Sequence, residues 1–210
     1  MRSHFLRLVC GCVLSGGSVA AMATPFEGVG IGVSLGSHSM EVDADFSGSV
    51  SYYPGSASGE DDALGVGLRF GYMGRSGNLG YSFDVRYIGS GLETGVFGDD
   101  EYSLDNAVTI GTNLGYVSGA HFVYGIVELG SASFDYQVEG YTSESDRIGM
   151  AGLGIGYAHA VNEEFELSVE LVGRALADYR VDFYGGRLAG GRQDMDVAIG
   201  SLSLGALYRF

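Results

Sequence analysis

The chain has no lysine and no tryptophan, and only 2 prolines and 2 cysteines in 210 residues. Each shortage excludes something. A soluble β-protein covers its outer face with lysine and glutamate, and a chain without lysine has no such face to offer. Low proline combined with 14 tyrosines and 11 phenylalanines excludes Pro-rich disorder. Both cysteines, Cys10 and Cys12, sit in the leading segment, so the rest of the chain has neither a disulfide framework nor a thiolate metal site. Beyond residue 23 no run approaches the roughly 18 apolar residues of a spanning helix. Positive charge is scarce too. A formal charge of −15 leaves nothing to neutralise phosphates, which argues against a nucleic-acid partner.

Glycine, tyrosine and a two-residue rhythm are abundant. The rhythm begins after a distinct leader. Arg2 and Arg7 give a positive start, Leu8 to Ala20 is apolar and small, and Ala21-Met22-Ala23 is a small-x-small cleavage signal. We expect residues 1–23 to be a signal peptide and 24–210 to be one domain. Val9-Cys10-Gly11-Cys12 loosely matches a lipidation box, but the apolar run before Cys12 is too short for one. Losing Arg2 and Arg7 takes the formal charge from −15 to −17.

The end of the chain sets the pattern. Leu202, Leu204, Ala206, Tyr208 and Phe210 fall on one side of an extended strand. Ser201, Ser203, Gly205 and Arg209 fall on the other, with Leu207 the exception. A closing strand of this kind suits a transmembrane barrel, which cannot leave an open edge in lipid. Seven earlier segments repeat the alternation. The first, near Phe26 to Met40, puts Val29, Ile31, Val33 and Leu35 outward over a glycine-rich inner face. Those glycines alternate along a strand and precede no helix or P-loop lysine, so they are not a nucleotide loop. They leave room for larger side chains from other strands.

The second segment, Asp62 to Tyr72, and the third, Leu79 to Tyr87, place Arg69, Asp84 and Arg86 inward. The fourth, Tyr102 to Tyr116, has Leu104, Val108 and Ile110 outward and Asp105, Thr109 and Asn113 inward. The fifth, His121 to Ser133, is phased by turning Glu128 away from lipid, which penalises a carboxylate. The opposite phase, with Phe122, Tyr124 and Ile126 outside, stays open. The sixth runs from Arg147 to Val161, the seventh from Phe165 to about Arg180 with Glu166, Glu170 and Arg174 inward, and the eighth from Gln193 to Phe210 with Arg209 inward. Long polar connections at 41–61, 89–101, 134–146 and 185–192 alternate with short turns at 73–78, 117–120 and 162–164. The expected fold is all-β: an eight-stranded antiparallel transmembrane up-and-down β-barrel. Tyr72, Tyr116, Tyr157, Tyr208 and Phe210 mark an inner aromatic girdle, and Tyr87, Tyr102, Tyr136 and Tyr179 an outer one.

Eight alternating segments, a leader and the ending Tyr208-Arg209-Phe210 resemble the small outer-membrane β-barrels of Gram-negative type, the broad group of the OmpA membrane domain, OmpX/Ail and opacity-type proteins. The resemblance implies residence in the cell outer membrane, contact with its lipid and lipopolysaccharide, and a monomer. It also implies that Tyr208 and Phe210 signal to the barrel-assembly machinery and its periplasmic chaperones.

An eight-stranded barrel is just wide enough for side chains to fill it. Arg69, Asp84, Arg86, Asp105, Glu128, Glu166, Glu170, Arg174 and Arg209 are therefore expected to form a lumen charge network, paired because a lone buried charge is costly. That network closes the lumen and leaves a structural or surface-interaction role in adhesion or envelope integrity. A narrow ion-conducting pore is the alternative. A lipid A-modifying enzyme is the second, but His38, His121 and His159 have no serine at a catalytic spacing in the sequence. No catalytic residue, cofactor or resident metal is assigned. The acidic loops, with Asp43, Asp45, Asp99, Asp100, Glu101, Asp194 and Asp196, are candidates for divalent-cation contact with lipopolysaccharide phosphates, although no calcium-loop motif is present.

Overall fold

The computed structural model describes residues 26–48, 55–95, 101–137, 144–182 and 191–210. The expected signal peptide, 1–23, lies outside the described residues, as do the tips of the long connections.

Nine strand segments form one antiparallel sheet: β1 (Gly28–Gly48), β2 (Ser56–Ser76), β3 (Leu79–Thr94), β4 (Glu101–Ser118), β5 (His121–Gln137), β6 (Glu144–Ala160), β7 (Phe165–Leu176), β8 (Tyr179–Asp182) and β9 (Gly191–Arg209). Neighbours in sequence pair in order, β7 and β8 both pair with β9, and β1 returns to β9. β7 and β8 are one stave interrupted at Ala177-Asp178, so the barrel has eight staves. Closure runs from Gly30 opposite Arg209 to Gly48 opposite Gly191, and Phe210 N donates to Val29 O at 3.0 Å. Among the described residues the short-turn half of every stave is paired on both sides, as a barrel in lipid requires.

Turn chemistry fixes the short-turn end. Gly77 and Gly119 take φ of 62° and 59° in two-residue connections, a conformation glycine adopts without steric cost. In the third turn Asn162 Oδ1 accepts from the backbone N–H groups of Glu164 and Phe165 at 2.9 and 2.7 Å, the local bond that makes asparagine a turn former.

β1 and β2 are each 21 residues long, about twice what a tilted strand needs to cross hydrocarbon. The extra length stands on the side of the long connections, and it divides the barrel in two. In the belt, the outward residues are apolar, among them Ile31, Val33, Leu68, Phe83, Ile110, Leu153 and Leu204. Beyond it lies a collar of reversed polarity. Glu41, Asp43, Asp45, Glu93 and Asp196 point out. Met40, Val42, Leu92, Tyr102, Leu104, Phe134, Tyr136, Met195 and Val197 pack inside as one buried cluster.

The collar corrects several sequence expectations. Residues 41–48 and 56–61 are strand, not loop, with Asp45 opposite Ser56. The connections expected at 89–101 and 134–146 shorten likewise, because β3 reaches Thr94, β5 reaches Gln137 and β6 begins at Glu144. Tyr102 and Tyr136 are interior side chains rather than girdle residues. A register shift between Leu104 and Asn106 in the β4–β5 ladder inserts Asp105 as an extra residue. Such a bulge exchanges the two faces of a strand. Leu104 therefore turns inward and Asp105 outward, the reverse of what the alternation further along β4 implies. In β5 the chosen phase is the observed one: Phe122, Tyr124, Ile126 and Glu128 are buried, and Val123, Val127 and Leu129 are exposed.

Candidate functional site

The lumen is where chemistry-bearing side chains converge. Three layers stack along it. At the short-turn end Phe26, Met73, Val117 and Phe122 form an apolar plug. The Arg209 guanidinium lies 5.6 Å from the Phe26 ring centre and is ion-paired to Glu166. The charged layer lies above the plug, and the apolar interior of the collar lies above that.

Within the charged layer the inward residues of β2, β3 and β7 meet. Arg69 Nη2 is 2.9 Å from Asp84 Oδ2, and its Nη1 is 3.4 Å from Glu170 Oε1. Arg86 reaches the same two carboxylates, at 3.1 Å to Asp84 and 2.5 Å to Glu170. Each carboxylate therefore has two guanidinium partners. Further donors complete them: Asn113 Nδ2 to Asp84 at 2.8 Å, and the Tyr124 hydroxyl to Glu170 at 2.7 Å. Multiple charge-assisted bonds of this kind offset the cost of moving ions out of water.

A second group lies toward the collar. Arg174 Nε is 2.5 Å from Glu128 Oε1, and its Nη1 donates to Ser201 Oγ at 2.6 Å. Ser201 Oγ is also 2.8 Å from His38 Nδ1. Glycines make the space for these long side chains. A Cβ on Gly152 would lie 2.8 Å from Glu128 Cγ and 3.1 Å from Arg174 Cγ, closer than packed side chains tolerate.

Eight of the nine expected network residues thus lie in the lumen in three groups: Arg69, Asp84, Arg86 and Glu170; Glu128 and Arg174; Glu166 and Arg209. Asp105 is the correction. The bulge puts it on the outer face beside Asp135. Slight burial, then the Asp135 carboxylate with which it shares a hydrogen bond, raises its pKa from the ordinary aspartate value. Sequence reasoning missed His38, Ser201 and Tyr124 as members. His38 and Ser201 are 163 residues apart and meet only because the first and last staves pair. Tyr124 was legible once Glu128 fixed the phase of β5, since both are even-numbered positions of one strand. Tyr208 and Phe210 lie outside on the inner rim, ring centres 5.4 Å apart and edge to face.

A cavity of about 50 Å³ touches His38, Arg69, Arg86, Glu170, Arg174 and Ser201. It has room for a few waters. Arg69 and Arg86 each keep a buried Nε without a hydrogen-bond partner. Among the described residues no group of three or more His, Cys, Asp or Glu could hold a metal ion.

The family model described as "Outer membrane protein beta-barrel domain" matches residues 10–210. The chain belongs to that family. Its fold is that of the small Gram-negative outer-membrane barrels. The barrel is similar to the outer membrane protein AlkL, solved by solid-state NMR in lipid bilayers, at 16% identity and a TM-score of 0.50, covering 94% of this chain and 97% of that one. It is also similar to Ail, the attachment invasion locus protein of Yersinia pestis, at 19% identity and a TM-score of 0.47 over 88% and 99% of the two chains. Neisserial surface protein A aligns at 15% identity and a TM-score of 0.48 over 84% and 97%. A search of curated proteins finds no match. In outer-membrane barrels generally, short turns face the periplasm and long connections face the outside.

Proposed function

We propose that this outer-membrane protein is a closed, non-catalytic barrel that presents its acidic collar at the cell surface, with a structural or surface-interaction role in adhesion or envelope integrity. The filling of the lumen at three successive levels carries this reading: apolar plug, paired charges, apolar collar core. An ion entering from either end meets a buried apolar layer before it meets water. Planar-bilayer recording tests this. The expected result is no steady single-channel conductance, and a stable open level overturns the closed lumen.

The narrow pore keeps one observation in its favour, the cavity beside Arg69 and Arg86. The same recording decides against or for it. The second alternative, lipid A modification, meets the His38–Ser201 pair, which has the spacing of a base and a hydroxyl. Arg174 donates to that same oxygen, and a cavity of about 50 Å³ does not admit an acyl chain. The pair is therefore read as structural. Lipid A mass profiles of cells with and without the protein are expected to coincide; a protein-dependent mass shift overturns the non-catalytic reading.

The collar suits contact with lipopolysaccharide through bridging divalent cations. Asp43 faces Asp196 across the β1–β9 seam, which concentrates negative charge there, and Asp45 faces Asp194, whose carboxylate Arg180 pairs at 2.6 Å. Tyr208 and Phe210 carry the signal for the assembly machinery and chaperones, with Phe210 78% exposed. Deleting Phe210 is expected to slow insertion into the outer membrane, and wild-type insertion would remove that role. The protein acts as a monomer.

A further inference from the structure

Away from the lumen and the collar, two imidazoles meet on the outer wall near the short turns. His121 opens β5, and His159 lies directly opposite it in β6. Opposite residues of an antiparallel pair hold their Cβ atoms about 4.5–5.5 Å apart. Both histidines occupy the odd, outward phase of their strands. His121 is exposed and His159 half-buried. Their ring centres are 5.0 Å apart, with planes inclined at 38°.

Three further details bear on what the pair does. The Tyr157 hydroxyl is 2.7 Å from His121 Nδ1 and fixes that ring. With Nδ1 so engaged, Nε2 is the nitrogen that His121 has to offer. His159 Nδ1 is shielded from water and has no hydrogen-bond partner, so the protein leaves one of its nitrogens unused. Lastly, Glu163 and Glu164 stand in the turn that follows β6, in a chain of strongly negative charge, and draw cations toward this rim.

We propose that His121 and His159 form a binding site for a divalent late transition metal, tightest for Cu²⁺. Metal–imidazole bonds of about 2.0–2.1 Å, with bond angles between 90° and tetrahedral, place two ring centres roughly 4.5–5.2 Å apart. The observed 5.0 Å lies in that range. Imidazole suits copper, nickel and zinc, and the order of intrinsic affinity puts Cu²⁺ first. The hydroxyl on His121 Nδ1 is the kind of outer partner that orients a metal-binding imidazole. Two protein ligands leave the remaining positions to water. The site is therefore open and exchangeable, reached from the periplasmic side, and independent of whether the lumen conducts.

The test uses untagged protein purified from membranes into detergent and titrated with Cu²⁺ and Zn²⁺. Electron paramagnetic resonance and calorimetry provide the readouts. One Cu²⁺ per barrel is expected, with nitrogen splitting from two imidazoles and weaker Zn²⁺ binding. His121→Ala and His159→Ala each lower Cu²⁺ affinity by more than about tenfold, and Tyr157→Phe by about tenfold. Heat-modifiable gel mobility checks that every variant is folded. A His121→Gln, His159→Gln double variant, which keeps a polar rim, also loses the splitting. Copper binding that survives in the folded double variant overturns the site, as does wild-type protein that binds no copper.

Discussion

Belt and collar are one β-ladder with opposite polarity. In β1, Ile31, Val33 and Leu35 face outward, whereas further along Met40, Val42 and Ala44 face inward. The pairing of β1 with β2 and with β9 runs through this change without a slip. The backbone therefore does not turn over; the sequence changes which parity is apolar. The cause is the solvent. Lipid makes polar outward groups costly, so the belt turns its charges into the lumen and pairs them. Water rewards the reverse, and the collar packs like a small soluble barrel around an apolar interior. Two different forces hold one sheet, so substitutions of one type should act oppositely in the two regions.

The largest effect is expected where a paired charge is removed. Arg86→Met leaves Asp84 and Glu170 short of a partner in the buried layer and should lower stability by about 3–5 kcal/mol. Urea titration of the gel-mobility shift reads this out, and a loss under about 1 kcal/mol would mean the layer is not sealed from water. In the collar the matching change is apolar. Phe134 is fully buried beside Tyr102 and Tyr179, and Phe134→Ala should cost about 3–5 kcal/mol in the same assay.

The boundary itself is tested by placing one charge on two outward positions of β9. Leu204→Arg in the belt should cost about 2–4 kcal/mol, falling toward zero the nearer the site is to the interface. Ala198→Arg, opposite Glu41 where the collar begins, should lie within about 0.5 kcal/mol of the parent. Equal costs at both sites would abolish the distinction between the regions.

The smallest effect is electrostatic and confined to the collar. The Glu101 charge, with which Glu93 also shares a hydrogen bond, raises the Glu93 pKa, and burial followed by Asp135 raises that of Asp105. A raised carboxyl pKa means the folded collar holds protons more tightly than the unfolded chain. The stability these groups contribute is complete below the ordinary value of about 4 and is lost as pH rises through the raised values. Proteolysis of the collar should therefore slow as pH falls from neutral toward about 4. Asp105→Asn should remove part of that dependence and add less than about 1 kcal/mol at neutral pH. A collar that becomes more labile on mild acidification would contradict this.

Much of the barrel was legible because lipid imposes a simple rule on a strand. The outward sets of β1, β2, β3 and β6 follow from parity; in β5 Glu128 favours one phase, because lipid penalises a carboxylate, and the structure decides for it. The collar is hard to see in the sequence because its outward acidic residues resemble those of a polar loop. In Met40-Glu41-Val42-Asp43-Ala44-Asp45 the alternation is intact; only its phase relative to Leu35 differs. The bulge at Asp105 left no such trace, because an extra residue is invisible until a partner strand is there to count against.

The sequence by itself determined an antiparallel barrel with a glycine-rich lumen, since period-two patterning is a local property. Only the tertiary structure decided which charges meet. Asp84 and Glu170 lie on β3 and β7, both bridged by Arg69 and Arg86, and His38 reaches Ser201 across the closing seam. His121 likewise meets His159 only through the register of β5 on β6. Pairing across a closed sheet depends on shear and register, which are set by all eight staves together and written in no single one of them.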